Sequence, residues 1–343
     1  MTAATETVAG GSSANRLVDL VFRIREFGII AVLGLFVLVT ALIQSRFLSV
    51  SELQFVLVDT TIFALLAVGE TMVVLTRNVD LSVGSVLGLS AFLSADMFGK
   101  HPGTSIVTVF AVGLGIGVAC GVANGLLTTI GRVPSLVVTL ATLYIIRGID
   151  VLVVGGGQVV ASSLPNSFLN IPQATTLGIP DLAIVIAAGV AVVAYYLRSY
   201  RSGRELYAIG SNPEAARLAG IPIGRRVFMT FVVSGALAGI AGVLWAAQYG
   251  TIDSTAGTGY ELQVVAAVVV GGVAIFGGSG TVVGAALGAL LLNTINSALY
   301  VLGISDYWDQ AIAGFLLISA IALDRLITVQ LTAALKRRSR LGA

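Results

Sequence analysis

Residues 227–249, VFMTFVVSGALAGIAGVLWAAQY, decide the fold class. The stretch contains no Asp, Glu, Lys or Arg. Its length falls in the range of ~17–25 apolar residues that cross a bilayer core as a helix. Comparable runs recur from end to end of the chain. Of its 343 residues, 57% are hydrophobic and 10% charged, and the mean hydropathy is +0.99. A soluble domain carries roughly 25% charged residues. There is too little polar material here to coat a globule of this size. The chain therefore reads as an all-α polytopic membrane protein with about ten transmembrane helices, near 27–43, 53–76, 81–98, 105–130, 134–154, 177–197, 227–249, 261–276, 281–301 and 308–327. The second-to-third and eighth-to-ninth junctions are tight enough that a re-entrant or broken helix can replace a crossing there.

Composition also excludes whole classes of chemistry. One cysteine (Cys120) and one histidine (His101) leave no disulfide framework and no cysteine or imidazole metal cage. The two lysines, Lys100 and Lys336, lie outside any G-x-x-x-x-G-K-[ST] context, so no nucleotide-binding loop is encoded. No catalytic residue, metal or cofactor is expected, and no nucleic-acid partner, because the basic residues border the membrane. With the N-terminus inside, ten spans put sixteen Lys and Arg residues on the cytoplasmic side and two, Arg46 and Lys100, outside; Arg147 falls within a span. Both termini are then cytoplasmic. A tail over 1–26 precedes a transmembrane domain over 27–327, and a basic tail over 328–343 follows. The expected location is the cell membrane, with lipid around the spans.

The longest inner segment, 198–226, contains Gly210-Ser211-Asn212-Pro213-Glu214-Ala215-Ala216-Arg217-Leu218-Ala219-Gly220-Ile221-Pro222. Asn212 is a good helix N-cap, Pro213 suits the first helical position, and Glu214 faces the positive end of the helix dipole. Gly220 can adopt a left-handed C-terminal cap, and Pro222 stops the helix. A two-turn surface helix follows. It is either a capped connector or a docking helix for a soluble partner, with Ala215 and Ala216 permitting close approach and Arg217 supplying a polar rim.

E-A-A followed by Gly resembles the coupling loop of permease subunits in bacterial ATP-binding-cassette importers. Asn78-Val79-Asp80-Leu81-Ser82-Val83-Gly84-Ser85 resembles a signature of the ribose-type monosaccharide permeases. Gly277-Gly278-Ser279-Gly280 and Gly303-Ile304-Ser305-Asp306-Tyr307-Trp308 are similar to the C-terminal third of the same family. Asn78 departs from the glycine of the ribose permeases and looks more like the branch for deoxysugars or the furanosyl autoinducer. The resemblance implies a permease subunit without enzymatic activity of its own. Its implied partners are an ATP-binding cassette subunit, an extracytoplasmic sugar-binding protein, and a second permease copy or homologous permease. Coupling would run through Asn212, Glu214, Ala215, Ala216, Arg217 and Gly220.

Polar groups within the spans are the pathway and gate candidates. Asp59 and Glu70 are eleven residues apart on one helix, nearly on one face, and carboxylates at such depth must pair, protonate or face a cavity. Arg147 and Asp150 are spaced to pair directly. Asp80, Ser82 and Ser85 stand where the third helix begins, and Asp80 reads as its cap or as part of a gate. Asn124, Asn293 and Asn296 are either interhelical glue or pathway lining. Gly113, Gly117 and Gly121, with the pairs Gly84/Gly88 and Gly284/Gly288, form small-x-x-x-small faces for close helix packing. The rival reading is an ion-coupled secondary carrier that uses Asp59 and Glu70 as coupling groups.

Overall fold

A computed structural model describes the backbone of residues 11–322, apart from 102 and 306, and side chains from residue 27 onward. The basic tail over 328–343, residues 1–10 of the tail over 1–26, and the end of the tenth expected span lie outside the described residues. Thirteen helices are described: α1 (Gly11–Ile43), α2 (Val50–Leu75), α3 (Val83–Lys100), α4 (Ile106–Thr129), α5 (Ser135–Val154), α6 (Asn166–Leu169), α7 (Asp181–Ser199), α8 (Arg201–Ser211), α9 (Pro213–Leu218), α10 (Ile223–Tyr249), α11 (Tyr260–Val270), α12 (Val282–Val301) and α13 (Tyr307–Ala322). The β-structure is a two-residue antiparallel pair, Thr175–Thr176 with Ile179–Pro180, in the loop between α6 and α7. Among the described residues, α2, α4, α5, α7, α10 and α12 are long and apolar enough to cross a membrane. The molecule is an all-α polytopic membrane protein.

Helices α2 and α10 form the centre, because their side chains are buried on nearly every face. The glycine faces explain how neighbours come so close. A Cβ on Gly117 would stand 2.1 Å from the Gly235 carbonyl oxygen, and one on Gly239 would stand 2.2 Å from that of Gly113. Helices α4 and α10 thus meet backbone to backbone, held by dispersion and weak polar contacts that any larger side chain would break. Gly284 and Gly288 do the same for α12 against Gly271 and Ala267.

Two helices begin inside the bundle. After α2 ends, the chain turns and runs back along it, so that the Asp80 N–H donates to Glu70 Oε1 (3.1 Å) about 8 Å below the end of α2. Helix α3 starts from that depth, with Asp80, Ser82, Val83 and Ser85 all buried. After α10, Ile252 pairs with Val159 at the opposite end of the molecule. The chain then turns inward until Gly257 packs on Gly84, and α11 starts there. The two returns enter from opposite ends, and the N-termini of α3 and α11 meet at Gly84 and Glu261. Discontinuous helices of this kind recur in transporters.

The sequence places one continuous span over 261–276. The structure ends α11 at Val270, after about 16 Å, roughly half a bilayer core. The break falls at Gly271-Gly272, where Gly272 has φ +95° and a side chain would be strained.

Candidate functional site

The loop over 198–226 folds into two helices. Helix α9 carries the expected caps: Asn212 Oδ1 accepts from the Ala215 N–H (3.1 Å), Pro213 opens the helix, and Gly220 closes it at φ +75°. Glu214 and Arg217 pair at 2.6 Å on the exposed side. Ala216 is 3% exposed and faces the protein, whereas Ala215 and Ala219 face outward and Leu218 is 88% exposed. Leu218 was not singled out from the sequence, although an apolar residue among charged ones on a surface helix was the available signal. Helix α8 was not anticipated either. It seats Leu206 and Ile209 in the protein and is pinned by Glu205. The Glu205 carboxylate accepts from Arg226 Nε (2.5 Å) and Arg201 Nε (2.9 Å). The Arg226 hydrogen bond, then that of Arg201, hold this carboxyl below the usual glutamate range.

The end of α2 meets two segments singled out by sequence, Gly210-Ser211 and 277–280, beneath this loop. Arg77, with a left-handed backbone at φ +66°, donates from Nε to the Gly210 carbonyl (2.5 Å) and from Nη2 to that of Ser211 (2.9 Å). A guanidinium thus satisfies carbonyls left over at the C-terminus of α8, where the dipole favours a cation. The Gly278 N–H donates to the Leu75 carbonyl (3.0 Å), and Tyr207 donates to that of Gly280 (3.1 Å). Gly210 has no room for a side chain: a Cβ would lie 1.9 Å from the Leu75 oxygen and 2.3 Å from the Gly278 nitrogen. The end of α2, the end of α8 and the 277–280 loop form one locked unit.

From that lock the chain runs through Asn78 to a buried polar junction. Asp80 Oδ1 accepts from the N–H and hydroxyl of Ser82 (3.0 and 2.6 Å), and Asp80 Oδ2 accepts from Ser234 (3.1 Å). Asn124 Nδ2 donates to Ser82 Oγ (2.8 Å), and Ser85 donates to the Ser82 carbonyl. Asp80 therefore turns the backbone two residues ahead of α3 instead of capping its first turn, and it ties α4 and α10 to that turn. Val79 is held by Ser135 and Thr139 of α5. Glu70 Oε2 and Asn124 Oδ1 are buried without a hydrogen-bond partner among the described residues.

The other intramembrane candidates separate from this junction. Asp59 accepts from the Tyr249 hydroxyl (2.5 Å) nearer the opposite end, so it and Glu70 serve different neighbours. Asn293 donates to the Val56 carbonyl and to Thr60, joining α12 to α2, and Asn296 lines a narrow void beside it. Trp245 stacks on Tyr249 and Phe63 on Tyr260 around the same region. Arg147 sits 3.5 Å from Asp150 and donates to the carbonyls of Ala256 (2.7 Å) and Ser254 (3.2 Å), tying α5 to the inward return before α11. Among the described residues, no group of three His, Cys, Asp or Glu side chains is placed to hold a metal ion.

Residues 53–321 match the family described as branched-chain amino acid transport system / permease component. The chain is 36% identical to the autoinducer 2 import system permease protein LsrC of Enterobacter sp. (strain 638), over 88% of this chain and 87% of that protein. It is 37% identical to LsrC of Salmonella typhi, over 90% and 88% of the two chains. It is 32% identical to the ribose import permease protein RbsC of Escherichia coli (strain K12), over 93% and 98%. No solved structure shows significant similarity to the chain.

Proposed function

The chain belongs to the family of branched-chain amino acid transport system permease components, and from that premise we propose that it is the membrane-spanning permease subunit of an ATP-driven importer for a monosaccharide or related small sugar. The observation that carries this reading is near full-length similarity to permeases named for import of autoinducer 2 and ribose. An ion-coupled carrier working alone fits less well, because one relative's name already places it in an import system.

In this reading the 27–327 region is the transmembrane domain, and both termini and the 198–226 loop are cytoplasmic. Helix α9 inserts in a cleft of an ATP-hydrolysing subunit, with Ala215, Leu218 and Ala219 as its apolar contact and the Glu214–Arg217 pair at its rim. Asn212 and Gly220 shape the helix, and Ala216 seats it on the permease. Movement of α9 passes through α8 and Arg77 to the turn holding Asp80, Ser82 and Asn124, where α3 and α11 abut. Two packed helix ends have few intermediate arrangements, which suits a gate. A sugar-binding receptor delivers solute on the other side, and a second permease copy or homologue completes the pathway. The ligand class is a ribose-like or deoxy sugar, or a furanosyl signal. The test is co-expression with a candidate ATP-binding subunit and receptor: the three co-purify, and mass spectrometry of the receptor's bound ligand returns a small sugar. A receptor carrying an amino acid, or a permease that purifies alone under those conditions, contradicts the proposal.

A further inference from the structure

At the start of α13 a side-chain amide stands exposed beside apolar surface. Helix α13 presents Phe315 and Ile318 outward, as a lipid-facing helix should. One to two turns earlier, Gln310 is also exposed, and it borders a recess of about 310 Å³ between α13 and the first turns of α11. Thr258, Glu261, Gln263, Leu262 and Leu317 complete most of its wall. A side-chain amide against lipid tails has no partner for its hydrogen bonds, so an exposed amide at the edge of a recess implies water or a polar occupant there.

The fixed charges near the recess are directed elsewhere. Glu261 Oε2 points at the start of α3, 2.5 Å from where a Cβ on Gly84 would stand, on the side where Arg147 approaches Gly88. Asp309 accepts a hydrogen bond from Gln263. The wall also carries the Gln310 amide, Thr258 and the backbone at Gly259, whose Cβ would come 3.6 Å from Gln310 Nε2. Such neutral donors and acceptors match an uncharged, hydroxyl-rich solute. The volume lies at the small end of ligand sites, which start near ~300 Å³. Gln263 and Ala313 also line the void of Asn293 and Asn296, so polar groups continue from this recess past α12.

Resting on the permease reading, we propose that the recess between α11 and α13, with Gln310 as its principal contact, is a transit site for a small uncharged polyol. Its first test needs no partner. Cysteine is placed at Gln310 or at Ile318 in the full chain carrying Cys120→Ser, and native membranes are treated with a charged, membrane-impermeant thiosulfonate from both sides. Gln310→Cys should react at least tenfold faster than Ile318→Cys; equal rates, or no reaction at either, overturn the proposal. The second test uses the assembled importer in proteoliposomes with ribose as probe. Gln310→Leu should cut uptake at least tenfold, and Gln310→Asn should restore part of it, while receptor-stimulated ATP hydrolysis stays within twofold. Unchanged uptake in Gln310→Leu overturns the proposal. Failure of the wild-type chain to assemble with an ATP-hydrolysing subunit refutes the permease reading instead, and the labelling ratio still decides whether the recess is an aqueous site.

Discussion

Leu218 is where the docking of α9 is most open to attack. It is 88% exposed in the free chain, so nearly the whole side chain becomes newly buried if α9 enters a cleft. Truncation to alanine removes three carbons, and at ~0.8 kcal/mol per buried carbon the loss is about 2 kcal/mol. Each 1.4 kcal/mol is a tenfold change, so Leu218→Ala should weaken association roughly thirtyfold. Leu218→Asp adds the cost of an unpaired buried charge, several kcal/mol more, and should abolish co-purification. Neither change should unfold the permease, since surface substitutions away from packed sites stay within about 0.5 kcal/mol. The contrast is Ala216→Glu: Ala216 is 3% exposed, so its charge would be buried within this chain and dislodge α9 itself. The assay is pull-down of the ATP-hydrolysing subunit at matched permease levels, with membrane insertion checked in parallel. Wild-type binding and uptake in Leu218→Asp would refute the docking face.

Replacing Arg77 by glutamine removes two charge-assisted hydrogen bonds to Gly210 and Ser211, each worth about 1.5 kcal/mol or more; the complex should still assemble and hydrolyse ATP, but uptake per ATP should fall severalfold, and an unchanged ratio contradicts the lock. Gly210→Ala sets a methyl against two backbones, 1.9 Å from the Leu75 oxygen and 2.3 Å from the Gly278 nitrogen, and should lower stability by about 1–3 kcal/mol, read as a drop in detergent melting temperature. Glu205, held by Arg226 and Arg201 below its unfolded value of about 4.3, contributes a stability fully present above that pH and lost as pH falls through the lower folded value. Protease protection of the 198–226 loop should therefore stay flat from pH 8 to 5 and fall only below about pH 4. Glu205→Gln should lose protection already at neutral pH.

The all-α membrane class was legible because a bilayer forces backbone hydrogen bonds inside each helix and leaves the side chains to declare their surroundings. The glycine spacing at 113, 117 and 121 likewise announced the close approach of α4, since only missing side chains allow it. The caps of α9 are local chemistry, so Asn212 and Gly220 were readable. A broken helix at the eighth-to-ninth junction was allowed for, but the place of the break was hidden, because VVVGGVAIF stays apolar on both sides of Gly271-Gly272. The rotation of α9 was hidden too: one residue turns a helix by about 100°, and the motif does not say which alanine faces inward. The lock depends on Arg77 meeting Gly210, far along the chain, in a left-handed conformation that no arginine advertises. Ser234, Tyr249, Gln263 and Gln310 became notable only once the fold gave them neighbours.

The central claim is ATP-driven import through this chain, and reconstitution tests it most directly. Purified permease, its ATP-hydrolysing subunit and the receptor loaded with its own radiolabelled sugar are combined in proteoliposomes. The account predicts that sugar accumulates inside only when ATP is supplied on the α8–α9 side, and that omission of either partner abolishes it. Accumulation by the permease alone, driven by a proton or sodium gradient without ATP, would contradict it.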